Sequence, residues 1–218
     1  MDLTQFTPAS ALVTVILLAL APFVAVMVTS FTKIVVTLSL LRNALGLQQV
    51  PPNVVLNGLA LVLTLYVMYP VGLKMADAVE QPGLDGAPGD TNQLLAVADR
   101  AKEPLRDFLV EHSSPRERAF FLRTAKRVLP PEDAEQLTDR DFIIVVPAFT
   151  VGELATAFQI GFLIFLPFLV IDLVIANILL AMGMMMLSPT TVSLPFKLLL
   201  FVLVDGWVKL AHGLVLSY

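Results

Sequence analysis

The distribution of charge constrains this chain more than any other feature of its sequence. Of its 32 Asp, Glu, Lys and Arg residues, 24 fall within positions 74–141, which leaves eight for the other 150 positions. Only 15% of all residues are charged, whereas an average soluble domain has about 25%. The sequence therefore predicts two apolar blocks, suited to a membrane, on either side of one polar insert.

The first apolar run predicts a membrane-length helix. Residues 12–30 carry no charge, and with the small residues before them they reach the ~20 residues that a helix needs to cross ~30 Å of hydrocarbon. Pro22 predicts a kink near Ala21, which neighbouring helices can accommodate. No Lys or Arg precedes Lys33, so the run lacks the basic start of a signal peptide and is expected to be retained, with cleavage after Ala-Leu-Ala at 19–21 as the alternative.

A second helix is predicted within the N-terminal block. Residues 31–45 either continue the first helix or form an amphipathic turn, and Gly46 is suited to a helix end. After a polar, proline-containing break, residues 54–69 predict an apolar helix that ends at Pro70.

The polar insert is expected to be mostly helical. Residues 81–90 are rich in Gly, Pro and Asp and predict a loop, whereas residues 94–109 show apolar side chains at helical spacing. Ser114, followed by proline, predicts the start of another helix through Val128. The β-branched run at 142–147 is compatible with a strand or an extended segment.

The C-terminal block predicts a helical hairpin. Thr150 and Glu153 have capping-box spacing, which places the start of the first helix there and its end at residue 187. A turn at 188–191 then leads to a second helix over 194–216.

Three regions follow from these patterns: apolar helices at 1–73, the polar insert at 74–148, and the C-terminal hairpin at 149–218. The basic residues Lys33 and Arg42 place the connection between the first two helices in the cytoplasm, because short loops on that side are enriched in Lys and Arg. The insert then lies in the periplasm. The predicted fold class is all-α.

The composition also excludes several functions. A net charge of -4 with interleaved acids and bases does not suit nucleic acid, and the lack of cysteine excludes disulfides and thiolate metal sites. His112 and His212 have no partner at metal-ligand spacing, and the sequence contains no hydrolase, zinc-protease or phosphate-binding motif. We expect no enzymatic activity, no cofactor and no metal.

Charged side chains inside apolar helices are costly and commonly face a protein interior. The C-terminal block has four that we single out: Asp172, Lys197, Asp205 and Lys209. The last three share one face of an ideal helix, and a hairpin centred on the predicted turn places Asp172 opposite Lys209. The pair is interpreted as a structural salt bridge, with a proton or ion relay as the alternative.

Methionine is concentrated at the end of the first helix of this hairpin. Four of the chain's eight methionines lie within five positions: Met182, Met184, Met185 and Met186. Such a cluster is either apolar filling at a helix end or a soft surface that adapts to varied partners. A further set of small residues is typical of close helix packing between subunits: Gly152, Gly161 and Gly183.

Two segments of the apolar blocks stand out as sequence signatures. The first is Ser-Phe-Thr-Lys-Ile-Val-Val at 30–36, running through Leu-Leu-Arg-Asn-Ala-Leu-Gly at 40–46 to Gln-Gln-Val-Pro-Pro-Asn at 48–53. The second is Ala-Phe-Gln-Ile-Gly-Phe-Leu at 157–163, running through Pro-Phe-Leu-Val-Ile-Asp at 167–172 to Met-Gly-Met-Met-Met at 182–186. Together these segments resemble the FliP/SctR family of type III secretion export-gate subunits, over about two thirds of the chain and outside the insert.

The resemblance implies an integral membrane export-gate protein built of long bent helical hairpins. It implies a pentameric ring in the bacterial inner membrane, raised toward the periplasm, with FliR/SctT-like and FliQ/SctS-like subunits and unfolded secreted proteins as substrates. The methionines at 182–186 match a gasket that seals the closed channel. Two other classes stay open on the residues alone, a small ion or solute transporter and an intramembrane hydrolase.

Overall fold

The computed structural model describes residues 8–80 and 99–218, and the regular structure in those two ranges is entirely α-helical. The all-α prediction is confirmed. The loop predicted at 81–90 and the start of the helix predicted at 94–109 lie outside the described residues. The helices are α1 (Pro8–Met27), α2 (Phe31–Ala44), α3 (Asn53–Glu80), α4 (Glu103–Glu111), α5 (Pro115–Val128), α6 (Pro131–Gln136), α7 (Phe142–Ala181), α8 (Pro189–Leu203) and α9 (Gly206–Leu216).

The chain bends sharply between the first two helices, whereas the kink near Ala21 stays a prediction. Helix α1 runs on through Pro22, and α2 then leaves at 67° to its last part. Helix α2 closes in a Schellman motif, in which Leu47 N–H donates to Arg42 O at 3.2 Å and Gly46 N–H donates to Asn43 O at 3.0 Å. Gly46 has φ +80°, a conformation that glycine adopts without penalty.

Two predicted helix boundaries were wrong. Helix α3 does not end at Pro70 but continues to Glu80, because a proline inside a helix removes one hydrogen bond without preventing the next turns. The segment at 142–147 is neither a strand nor extended, since it forms the first turns of α7. Thr150 is consequently an interior residue, and its hydroxyl donates to Val146 O at 2.8 Å instead of capping a helix.

The C-terminal hairpin also differs from the prediction. Helix α7 ends at Ala181 and not at residue 187. The predicted final helix is two helices, α8 and α9, which meet at 59°. Asp205 adopts φ 52° and ψ 44° between them, a left-handed conformation that interrupts α-helical geometry.

Helix α2 lies at the centre of the fold. It packs against both α3 and α7, and Ile34, Leu38 and Leu41 on it are almost wholly buried. A second core, around Phe149 of α7 and Phe108 of α4, joins the polar insert to the apolar helices. The boundaries predicted at 73/74 and 148/149 therefore fall inside continuous helices, α3 and α7.

The apolar helices identify a membrane protein. Helices α3 and α7 are long and apolar enough to span a bilayer, and the bent pairs α1–α2 and α8–α9 raise the candidates to four. The 40 residues of α7 extend about 60 Å, roughly twice the thickness of the hydrocarbon layer. Only 11% of its most apolar stretch is buried within the chain. Most of its surface is thus available to lipid or to other subunits.

Candidate functional site

The methionine segment forms the exposed tip between α7 and α8. All four methionines project from the chain, and Met186 is 100% exposed. None of the four packs into the core of this chain, so all four are available for contact with a neighbour. The tip presents flexible thioether side chains to whatever surrounds it.

The backbone of the tip is shaped by Gly183. Met184 N–H donates to Leu179 O at 2.9 Å and Gly183 N–H donates to Leu180 O at 3.0 Å, which is a second Schellman motif. Gly183 has φ +72°, where a Cβ would be strained. This turn ends α7, and three of the exposed methionines follow it.

A buried charge cluster lies behind the tip. Lys197 Nζ of α8 lies 2.6 Å from Asp172 Oδ2 of α7, and the Lys197 side chain is 5% exposed. Ser193 Oγ donates to Asp172 Oδ1 at 2.5 Å. Lys197 Nζ also donates to Ala44 O, at 3.4 Å. The cluster thereby holds the start of α8 against both α7 and the C-terminal end of α2, where a cation is favoured.

The predicted pairing of Asp172 with Lys209 was wrong. Asp172 pairs with Lys197 because α7 already ends at Ala181 and α8 begins at Pro189, which centres the turn near residue 185 instead of between residues 190 and 191. Asp205 and Lys209 are both exposed, and no ion pair joins them within the described residues. The shared face predicted for Lys197, Asp205 and Lys209 does not exist because they lie on two helices and the break between them.

A second buried ion pair was missed from the sequence. Lys33 Nζ of α2 lies 3.4 Å from Glu153 Oε1 of α7, and the two side chains are 3% and 5% exposed. The capping-box spacing with Thr150 predicts a cap role for Glu153, which gives no indication of burial. The only available signal was an isolated acid in an apolar helix, the same signal that singled out Asp172.

This pair corrects the topology argument. Lys33 is a buried residue of a helix and therefore does not report on a cytoplasmic loop. Arg42 donates to Asn53 Oδ1 at 2.5 Å and to Pro51 O at 3.3 Å, and so ties the end of α2 to the start of α3. Its role in the structure is to hold this connection.

The Lys33–Glu153 pair belongs to a larger cluster around Tyr218. The Tyr218 hydroxyl donates to Glu153 Oε2, and its ring lies 3.4 Å from Lys33 Nζ, which is cation–π geometry. His112 of the insert makes a 3.2 Å contact from Nε2 to Tyr218 O and a 2.9 Å contact from Nδ1 to Phe108 O. Both ring nitrogens face carbonyl oxygens, a structural environment for the imidazole.

The three glycines have different surroundings. A Cβ on Gly161 would overlap the side chain of Leu40, so this glycine permits close packing of α7 on α2 within one chain. The prediction placed that contact between subunits. Gly152 and Gly183 have nothing within 4 Å of a Cβ position, which leaves them open to a neighbour.

The site offers apolar contact surface and internal ion pairs. No group of three His, Cys, Asp or Glu residues able to hold a metal occurs at 8–80 or 99–218. The profile of the FliP family matches residues 13–214. The chain belongs to the FliP family.

Individual FliP-family relatives match nearly the whole chain. The hypersensitivity response secretion protein HrcR of Ralstonia nicotianae is 53% identical, over 96% of this chain and 97% of the relative. The Yop proteins translocation protein R of Yersinia pestis is 53% identical, over 93% of this chain and 92% of the relative. The flagellar biosynthetic protein FliP of Bacillus subtilis is 44% identical, over 92% of this chain and 87% of the relative.

Proposed function

We propose that this FliP-family chain is a non-enzymatic subunit of a type III secretion export gate. It assembles with copies of itself as a pentameric ring and with FliR/SctT-like and FliQ/SctS-like subunits in the bacterial inner membrane. Unfolded proteins pass through the resulting channel. The higher identity to HrcR and to the Yop translocation protein, 53% against 44% for the flagellar relative, favours a virulence-associated system.

The exposed methionine tip is the observation that carries this proposal. Four thioether side chains project from a glycine turn at the end of α7. In a ring, five such tips meet around one axis and form an apolar collar. Methionine has three rotatable bonds and no branch, so the collar closes on itself at rest and re-forms around a passing chain of any sequence. It thereby limits ion leak without selecting substrates.

The membrane helices support an assembly raised toward the periplasm. Helix α7 is about twice as long as a membrane span and remains largely uncovered by its own chain. An isolated subunit would expose this apolar surface, whereas neighbouring subunits would cover it both inside and outside the bilayer. A transporter is less well supported, because Asp172 and Lys197 neutralise each other. Asp205 and Lys209 are exposed and do not belong to that pair.

Native mass spectrometry of the complex in mild detergent, with the neighbouring subunits co-expressed, tests the proposal. We expect a ring of several copies carrying small helical partners. A clean monomer or dimer would contradict it and favour the transporter. Turnover of a membrane peptide by the purified chain, abolished by one Ser or Asp substitution without loss of assembly, would instead indicate a hydrolase.

A further inference from the structure

A basic face of α5 is left uncovered in the polar insert. The opposite side of this helix packs on α7 and is half-buried. The outward side chains are exposed: Arg116, Phe120, Arg123, Lys126 and Arg127. Phe120 is 54% exposed and meets Phe121 edge-on, with ring centroids 5.3 Å apart. Exposed aromatic and Arg side chains together are typical of the centre of a protein interface.

The helix that follows has the opposite charge. Helix α6 carries three exposed carboxylates and no basic residue: Glu132, Asp133 and Glu135. It is separated from α5 by Leu129 and Pro130, both extended, with ψ 154° and 148°. The chain thus carries a basic surface and an acidic surface side by side.

These two surfaces do not neutralise each other within one chain. Across residues 8–80 and 99–218, none of the four outward basic residues of α5 and none of the three acids of α6 forms an ion pair. The nearest ion pair uses the half-buried Arg118 instead, with Asp139 at 3.7 Å. Among the described residues, both surfaces are therefore left without an ion-pair partner.

We propose that the basic face of α5 docks on α6 of a second copy of this chain. The proposal rests on the proposed function, since it requires that copies assemble. A contact in which one surface of a copy meets a different surface of the next copy is head-to-tail. Repeating such a contact by rotation about one axis closes a ring. An anionic membrane surface would account for the basic face, but a second copy also accounts for the matching carboxylates.

Cysteine cross-linking tests this contact directly. The natural chain has no cysteine, so a variant with Arg123→Cys and Glu135→Cys reports only these two positions. Mild oxidation of the assembled membrane complex should produce a ladder of covalent multimers on a non-reducing gel. A pair on exposed positions elsewhere, Lys74→Cys with Arg100→Cys, is the control and should produce none. Monomers alone from the first pair would overturn the proposal.

Charge reversal provides a second test. Arg123→Glu with Arg127→Glu, or Glu132→Lys with Glu135→Lys, sets like charges against each other and should weaken assembly about tenfold. All four changes in one chain restore complementarity and should restore assembly. Lys74→Glu with Arg100→Glu alters net charge as much as the α5 reversal does and should have no effect. The readout is the multimer fraction by native mass spectrometry as salt is raised.

The outcomes separate this contact from the proposed function. Multimers that persist in both reversals, or that do not return in the fourfold variant, would overturn the α5–α6 contact and leave the export-gate subunit standing. Loss of binding to vesicles of anionic phospholipid in the α5 reversal, with multimers intact, would assign the basic face to lipid. A wild-type chain that forms no multimer would overturn both.

Discussion

The ammonium group of Lys33 lies 3.4 Å from the carboxylate of Glu153, although 120 positions separate the two residues. The pair joins the central helix α2 to α7 in a place where both side chains are almost fully buried. Tyr218 completes it with a hydroxyl to the carboxylate and a ring beside the ammonium. The buried charges are therefore paired and hydrogen-bonded, which is the condition for keeping them out of water.

Removing one member of this pair should destabilise the fold. Glu153→Leu leaves the Lys33 ammonium buried without its carboxylate, and we expect a loss of about 3–5 kcal/mol in the free energy of unfolding. Denaturant unfolding in detergent micelles measures it. Glu132→Leu, on an exposed helix, is the control and should stay within about 0.5 kcal/mol of wild type. If Lys33→Leu with Glu153→Leu is no more stable than Glu153→Leu alone, the two charges are not coupled.

The partner of Asp172 can be distinguished by two lysine substitutions. Lys197→Met removes the ammonium that bonds both Asp172 and the end of α2, and should cost about 2 kcal/mol. Lys209→Met affects an exposed side chain and should be nearly neutral. Thermal unfolding of the two variants compares them directly. Equal losses, or a larger loss for Lys209→Met, would return the pairing to Lys209.

The methionine tip should affect ion leak rather than stability. Serine at Met184, Met185 and Met186 changes exposed positions, so the free energy of unfolding should shift by no more than about 0.5 kcal/mol per site. An apolar collar that has lost its thioethers should nevertheless leak, which a membrane-potential dye detects in cells that express the complete apparatus. Leucine at the same positions is the apolar control and should leak less. A serine variant as tight as wild type would contradict the seal.

The glycines should respond to alanine in proportion to the space around them. Gly161→Ala drives a methyl group into Leu40 and should cost about 1–3 kcal/mol through overpacking of α2 on α7. Gly152→Ala enters open space in the same helix and should be neutral or stabilising by up to about 1 kcal/mol. The difference in melting temperature between these two variants is the measurement. Loss of multimers in Gly152→Ala at unchanged stability would indicate a subunit contact there.

Local signals predicted some elements well. Helix α5 begins at Pro115 after Ser114 and ends at Val128 as expected, because a proline at the first turn and a following proline-rich break act within a few residues. Gly46 likewise acts locally, because its positive φ follows the end of α2. By contrast, α3 passes Pro70 and α7 includes 142–147, since neighbouring helices can stabilise a helix where proline and β-branched residues alone disfavour it.

The sequence by itself determined that this is an all-α membrane protein with a polar insert, and its two apolar signatures determined the family. Hydrophobic length and charge segregation act on whole segments, so they can be read along the chain. Only the tertiary structure decided which charges meet. Lys33 contacts Glu153 because α2 packs on α7, and Asp172 contacts Lys197 rather than Lys209 because the end of α7 at Ala181 decides which residues of α8 lie at the same depth. An ion pair needs contact within a few ångströms, and a bend at one residue displaces every side chain beyond it.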